Sequence, residues 1–380
     1  MSTSIKPRSP LSVLWTAPSI LAASMLIAWA AESAQFFIAQ GVALAILAWL
    51  QTLPEFAVEA VLAWKQEVPL LLANLTGALR LLTGLGWPMI YFVAAYFHRR
   101  NTGRRMNEIR LAEEHCVEVV GLLAALVWGF VVWIKGTLNV IDAAILIAVY
   151  LVYLWVLRHM PTAGHEDIDE LERIPRAIVT APRKWRILAI AALFCVGGGL
   201  IYATAEPFLG SLLAVSTVVG IPNFVFVQWV APFVSEFPEK VSAFYWARTV
   251  ERASMALMNM VSSNINQWTL LAAMLPIVYS MSRGTPSTIP LDEQQSLELL
   301  LTLGQSLLSA LFLIEMRLAW WEAAGLFGLW IVQFGFTTAV HDVIAAIYFV
   351  WALVEIARLL KQRRAPALSL FAEMWRKHVR

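Results

Sequence analysis

Charge is scarce in this chain of 380 residues. Asp, Glu, Lys and Arg make up 14% of it and 59% is hydrophobic, whereas a soluble domain is about a quarter charged. An ordinary soluble fold is therefore excluded. Cysteine is scarcer still. Cys116 and Cys195 both lie in apolar stretches, imply no disulfide framework and read as buried thiols. Segments of about ten residues with alternating polarity are missing, which excludes a transmembrane β-barrel. The apolar stretches hold no H-E-x-x-H, no paired catalytic aspartates and no Ser/His arrangement, so no enzyme activity is expected. The net charge of +2 says little about partners; no nucleic-acid partner and no bound cofactor are expected, and the oligomeric state stays open.

What the chain does have is long apolar runs. Many reach about 20 residues, enough to cross roughly 30 Å of hydrocarbon as a helix. The spans read as 11–31, 34–64, 67–97, 113–134, 138–158, 185–205, 211–247, 251–281, 294–315, 318–336 and 340–360. Tryptophan, at 17 residues, fits interfacial belts or packing. Lys6, Arg8, an apolar run and "AWAAESAQ" loosely resemble a signal peptide, but the run is long for one, so a retained first span is expected.

Lys and Arg orient the spans. With the N-terminus outside, the inner side gathers Arg99, Arg100, Arg104, Arg105, Arg110, Arg158, Arg173, Arg248, Arg252 and Arg317, together with the basic 361–380 tail. The outer side keeps Lys6, Arg8, Lys65, Lys135 and Arg283. This predicts an integral membrane protein of a bacterial-type plasma (inner) membrane, N-terminus outside and C-terminus cytoplasmic. The 159–184 connector, with its acidic run "HEDIDELE", shows no EF-hand pattern and reads as a solvated cytosolic linker.

Two stretches inside the spans break the apolar rule in the same way: "QTLPEFAVEA" (51–60) and "SEFPEKVSA" (235–243). Asn74 follows Glu55 at nearly the spacing at which Asn259 follows Glu239. Glu118 and Asp142 are spaced as Glu298 and Glu322 are. The segments 11–158 and 185–336 thus read as two copies of a five-helix unit. An odd number of crossings per copy inverts the second, an arrangement typical of secondary transporters. The expected fold is an all-α polytopic membrane protein with two inverted five-helix repeats, a ten-helix core, plus one extra C-terminal transmembrane helix at 340–360. Asp142, Glu118, Glu298 and Glu322 lie near span ends and read as interfacial or packing residues.

A proline inside a span frees backbone carbonyls, and such backbone is tolerated at membrane depth only inside protein or beside a cavity. Pro54 and Pro238 would place freed carbonyls next to Glu55 and Glu239. Thr52 and Glu236 lie one turn earlier, and Asn74, Asn259, Ser263, Asn264 and Gln267 sit on the following helices. These are hard oxygen ligands of the kind Ca²⁺ accepts. A carboxylate at the bilayer centre costs about 2.5–3.5 kcal/mol on insertion scales, so it needs a partner or a proton. Glu55, Glu59, Glu236 and Glu239 against Arg80 and Lys240 leave two negative charges, matching one divalent cation, two monovalent ions or two protons.

In these residues the sequence resembles the cation/calcium exchanger superfamily, specifically the membrane region of sodium/calcium exchangers. That family carries a G-T-S-L-P-E type motif and then G-N-x-x-G-S-N-x-x-N/D on the next helix. Here the copies read "LQTLPE" with "ANLTGALRLL", and "VSEFPE" with "MNMVSSNINQ". The resemblance implies a ten-helix exchanger core, alternating access and ion ligands from both repeats. It makes Glu55 and Glu239 the ligand glutamates, preceded by Gln51 and Thr52 and by Ser235 and Glu236. The partner-helix positions are Ala78 and Leu82, then Ser263 and Gln267. Ala78 and Leu82 cannot ligate through their side chains, Glu236 replaces a hydroxyl, and Arg80 sets a positive charge on the ligand helix. Either Arg80 stands in for an ion as a tethered cation, shifting coupling toward protons with Glu236 as proton carrier, or it pairs with a glutamate and holds helices together.

The function implied is secondary active antiport, exchanging Ca²⁺ for Na⁺ or H⁺, with inorganic cations and the lipid bilayer as partners. The alternatives are a monovalent Na⁺/H⁺ exchanger and a degenerate, non-transporting scaffold or sensor.

Overall fold

The computed structural model describes residues 5, 8–37, 40–160, 171–335, 340–362 and 365–379; most of the acidic linker run and Lys6 lie outside the described residues. The first span is α1 (Val13–Ala34). The second is broken, α2 (Gln40–Gln51) and α3 (Leu53–Trp64) meeting at Thr52 with a bend of 52°. The third combines α4 (Val68–Leu81), a five-residue π-turn at Leu82–Gly86 and α5 (Trp87–Thr102). Then come α6 (Cys116–Lys135), α7 (Val140–His159) and the short α8 (Arg173–Thr180). The second copy repeats the order. It has α9 (Arg183–Val219), the broken pair α10 (Asn223–Ser235) and α11 (Phe237–Arg248), then α12 (Ala253–Asn266), a π-turn at Gln267–Leu271 and α13 (Ala272–Arg283), then α14 (Glu293–Leu313) and α15 (Trp320–Gly335). The eleventh span is α16 (His341–Gln362), followed by α17 (Pro366–His378). Among the described residues, seven helices are long and apolar enough to cross a membrane, and the bent pair α2–α3 makes eight. The remaining crossings are the broken, polar or short ones.

Proline explains the breaks. Pro54 and Pro238 occupy the first turn of α3 and α11. There the missing N–H is not needed, whereas in a continuous helix the ring would meet the carbonyl four residues back. Each helix therefore stops just ahead of its proline and restarts. The turns that end α3 and α11 also correspond. Gln66 and Val250 adopt φ of 62° and 61°, a left-handed conformation rarely taken by a β-branched residue such as Val.

Four short strands confirm the inversion. β1 (Glu108–Arg110) precedes α6 and β4 (Arg317–Ala319) precedes α15; they pair antiparallel, Ile109 opposite Leu318. β2 (Thr137–Leu138) precedes α7 and β3 (Ile289–Pro290) precedes α14; they pair with Leu138 opposite Ile289. Each ladder joins one loop from each copy, and exchanging the copies exchanges the ladders. Paired loops share one end of the bundle, so the second copy crosses in the opposite sense.

The copies interlock at the centre. α2 packs on α12 and α10 on α4, while α3 packs on α13 and α11 on α5; α1 lies along α9. At the α4–α10 crossing a Cβ on Gly77 would lie 1.8 Å from the Gln228 carbonyl oxygen. That neighbour is backbone and cannot swing aside. Gly77→Ala is expected to push the helices apart, at about 3 kcal/mol, the upper end of overpacking costs. A melting temperature in detergent equal to that of the wild type would refute this.

Several expectations change. The sixth span does not end near residue 205 but runs to Val219 through Pro207, and Gly220 at φ 74° ends it, so the seventh begins at Asn223. Cys116 is buried, but Cys195 is exposed on the outer face of α9. The 361–380 tail is largely the helix α17, which docks on α6, with Ala367 donating its N–H to the Ile314 carbonyl at 3.0 Å. Asp142 and Glu322 are buried and sit three residues into the first turn of α7 and α15, and Asp142 also pairs with Lys135 Nζ at 2.6 Å. Each accepts the backbone N–H three residues ahead of it, from Asn139 at 2.9 Å and from Ala319 at 2.7 Å.

Candidate cation site

The two helix breaks bring the quoted motifs together. Glu55 and Glu239 sit in the first turn of α3 and α11, where the positive end of the helix dipole favours a carboxylate. The same breaks put the carbonyl ends of α2 and α10 just ahead of these glutamates in the chain. Gln267, at the start of the second π-turn, bridges the copies. Its Nε2 donates to Glu55 Oε2 and to Glu236 Oε1, both at 2.7 Å. The two carboxylates are thus held within twice that distance of each other. Asn266 donates to the Thr52 hydroxyl at 2.5 Å and Asn259 to Gln51 Oε1 at 3.1 Å. The break in the first copy is therefore gripped by the ligand helix of the second.

Acceptors outnumber donors here. Among the described residues, Glu55 Oε1, both oxygens of Glu239, Glu59 Oε2, and the amide oxygens of Asn74, Asn259, Asn266 and Gln267 are buried without a hydrogen-bond donor. So are the Ser263 hydroxyl and both amide atoms of Asn264. Leaving one buried polar atom unpaired costs about 1–3 kcal/mol, and native structures keep few. A concentration of unpaired oxygens around carboxylates is what a cation satisfies. Among the described residues no three His, Cys, Asp or Glu side chains converge as a metal-holding group. The donor set instead mixes carboxylates with neutral amides and hydroxyls.

Not every expected ligand joins this centre on equal terms. Asn74 donates to Glu59 Oε1 at 3.1 Å, one turn beyond Glu55. Ser235 turns its hydroxyl proton to the Ala231 carbonyl of its own helix at 3.1 Å. Glu236, expected as proton carrier, is engaged on both oxygens, the second by Lys240 Nζ at 2.5 Å. Ala78 and Leu82 are fully buried and apolar.

Arg80 belongs to a second polar cluster. Its guanidinium donates to Glu298 Oε2 at 2.7 Å, to Gln333 Oε1 at 3.3 Å and to the Thr76 carbonyl at 3.2 Å, and stacks over Trp229 at 5.2 Å. Gln228 and His341 complete the Glu298 carboxylate at 3.0 and 2.7 Å. This is the geometry of an ion pair that holds helices, not of a cation beside Glu55. Glu298, read from the sequence as interfacial or packing, is 1% exposed and central to the cluster. The signal was available: an arginine inside a span requires a counter-charge. The sequence held no hint of Gln228, Gln333 or His341 as its companions.

A profile of the sodium/calcium exchanger protein family matches residues 11–158 and 189–339. Among solved structures, the crystal structure of the H⁺/Ca²⁺ exchanger CAX is similar with a TM-score of 0.88 and 33% sequence identity, over 97% of this chain and 92% of that one. The sodium-calcium exchanger NCX_Mj shares the fold with a TM-score of 0.55 and 17% identity, over 86% of this chain and 99% of its own. No match was found among curated proteins. The matched segments contain both broken helices, both π-turns and both motif glutamates; this chain is a member of the sodium/calcium exchanger protein family.

Proposed function

We propose that this protein is a secondary active antiporter that moves Ca²⁺ against protons by alternating access. The observation that carries the reading is the shell of donor-less oxygens on Glu55, Glu239, Gln267, Asn259 and Asn266 at the meeting of two broken helices. Glu55 and Glu239 are the carboxylates that hold the cation and take up protons in its place. Two features favour H⁺ over Na⁺. Ala78 and Leu82 withdraw the oxygen donors that a second monovalent ion would need, and the 33% identical structure is that of an H⁺/Ca²⁺ exchanger. The Lys and Arg distribution supports an N-terminus outside and a C-terminus in the cytoplasm of a bacterial-type plasma membrane.

Radiocalcium uptake into proteoliposomes tests this under an imposed pH gradient and, separately, an imposed Na⁺ gradient. Uptake driven by the pH gradient is expected. Uptake driven only by Na⁺ would replace the counter-ion. No calcium uptake, with Na⁺/H⁺ exchange present, would make the protein a monovalent exchanger. Absence of both activities would leave a non-transporting scaffold.

A further inference from the structure

We propose that Lys240 is a built-in counter-cation of this centre, competing with the transported cation for the Glu236 carboxylate. This deepens the reading of the centre as a cation site and rests on it. Lys240 Nζ lies 2.5 Å from Glu236 Oε2, and the two side chains are 6% and 1% exposed. The other oxygen of Glu236 shares the Gln267 amide nitrogen with Glu55. The ammonium thus stands one carboxylate away from the unpaired oxygen of Glu55 and one helical position from Glu239.

The two copies differ at this point. Counting from the prolines, Glu236 corresponds to Thr52 and Lys240 to Phe56. One copy has a hydroxyl and an apolar ring where the other has a buried ion pair. The pair joins residues four apart along the chain, so it binds no distant helices together. Burying such a pair gains little stability over apolar residues of similar size, which leaves its place among free carboxylates to be explained by charge.

Electrostatics supplies the explanation. A cation arriving at Glu55 and Glu239 attracts Glu236 and repels the ammonium across a water-poor interior. Lys240 gives up Glu236 as the cation arrives and returns to it as the cation leaves. The carrier then never leaves Glu236 unpaired, and the bound ion always faces a competitor that favours its release.

The test is calcium-uptake kinetics on reconstituted full-length protein. Lys240→Met removes the competitor, and KM for Ca²⁺ is expected to fall about tenfold or more, in keeping with the size of a nearby unit charge in protein. The maximal rate falls with it because release slows. Glu236→Gln leaves the ammonium unpaired beside the cation, and KM is expected to rise by about as much. A purely structural pair would move both variants in the same direction. Lys240→Gln keeps a donor for Glu236, loses the charge, and is expected to reproduce the fall in KM. Unchanged or raised KM in the folded Lys240 variants overturns the proposal. Failure of both to fold assigns the pair to structure and also overturns it. Wild-type protein that takes up no Ca²⁺ removes the calcium-transport reading itself, and the counter-cation with it.

Discussion

Replacing Glu55 or Glu239 by Gln is expected to abolish calcium uptake while leaving the protein folded. The substitution keeps shape and removes charge at two motif carboxylates that carry unpaired buried oxygens. A unit charge about 4 Å from a cation is worth about 4 kcal/mol at an effective dielectric near 20, and each 1.4 kcal/mol is tenfold in affinity. Losses of about 100-fold or more in apparent affinity follow, even after allowance for the remaining ligands. Among the described residues neither glutamate is hydrogen-bonded to a cationic side chain, so neither variant strands a partner charge. Melting temperatures are therefore expected to stay at or above the wild-type value, and to lose their dependence on Ca²⁺, since only a bound ligand stabilises by mass action. Uptake near the wild-type rate in either variant would remove that glutamate from the site.

The second large effect belongs to Arg80, and it is one of stability. Arg80→Met leaves Glu298 buried with His341 and Gln228 but without its guanidinium. Breaking a buried pair by removing one partner costs about 3–5 kcal/mol. Glu298→Gln strands the arginine instead and is expected to cost a similar amount. The double variant leaves no orphan charge and is expected to recover much of the loss, a coupling that a double-mutant cycle in thermal melts would measure. Counter-ion identity is expected to be unchanged in any Arg80 variant that folds. A changed coupling ion would put the guanidinium back in the transport site.

The motif sites were legible because their signals are local. Pro54 beside Glu55 and Pro238 beside Glu239 announce broken helices and charged residues within a few positions, and their recurrence at equal spacing announces the repeat. The Arg80 cluster was not legible, because its companions come from α10, α14, α15 and α16 and only packing brings them together. Nor were the π-turns, whose sequences "LTGLG" and "QWTLL" differ little from ordinary apolar helix. The sixth span runs past residue 205 because Pro207 is accommodated within α9 and Gly220 sets its end. Asp142 and Glu322 looked interfacial because helix caps and membrane-surface carboxylates occupy the same stretch of sequence.

The two strand ladders bear on how this chain is assembled. Each takes one strand from each copy, and exchanging the copies carries one ladder onto the other. That is the self-complementary contact of a twofold dimer, here made between halves that cross the membrane in opposite directions. Gln267 and Asn266 of one half also hold Glu55 and Thr52 of the other at the candidate cation site. Neither half can complete its loops or its site by itself. In assembly this is a pair of mutually obligate subunits that happen to be translated as one chain, and a break in the connector would separate their synthesis without undoing their contact.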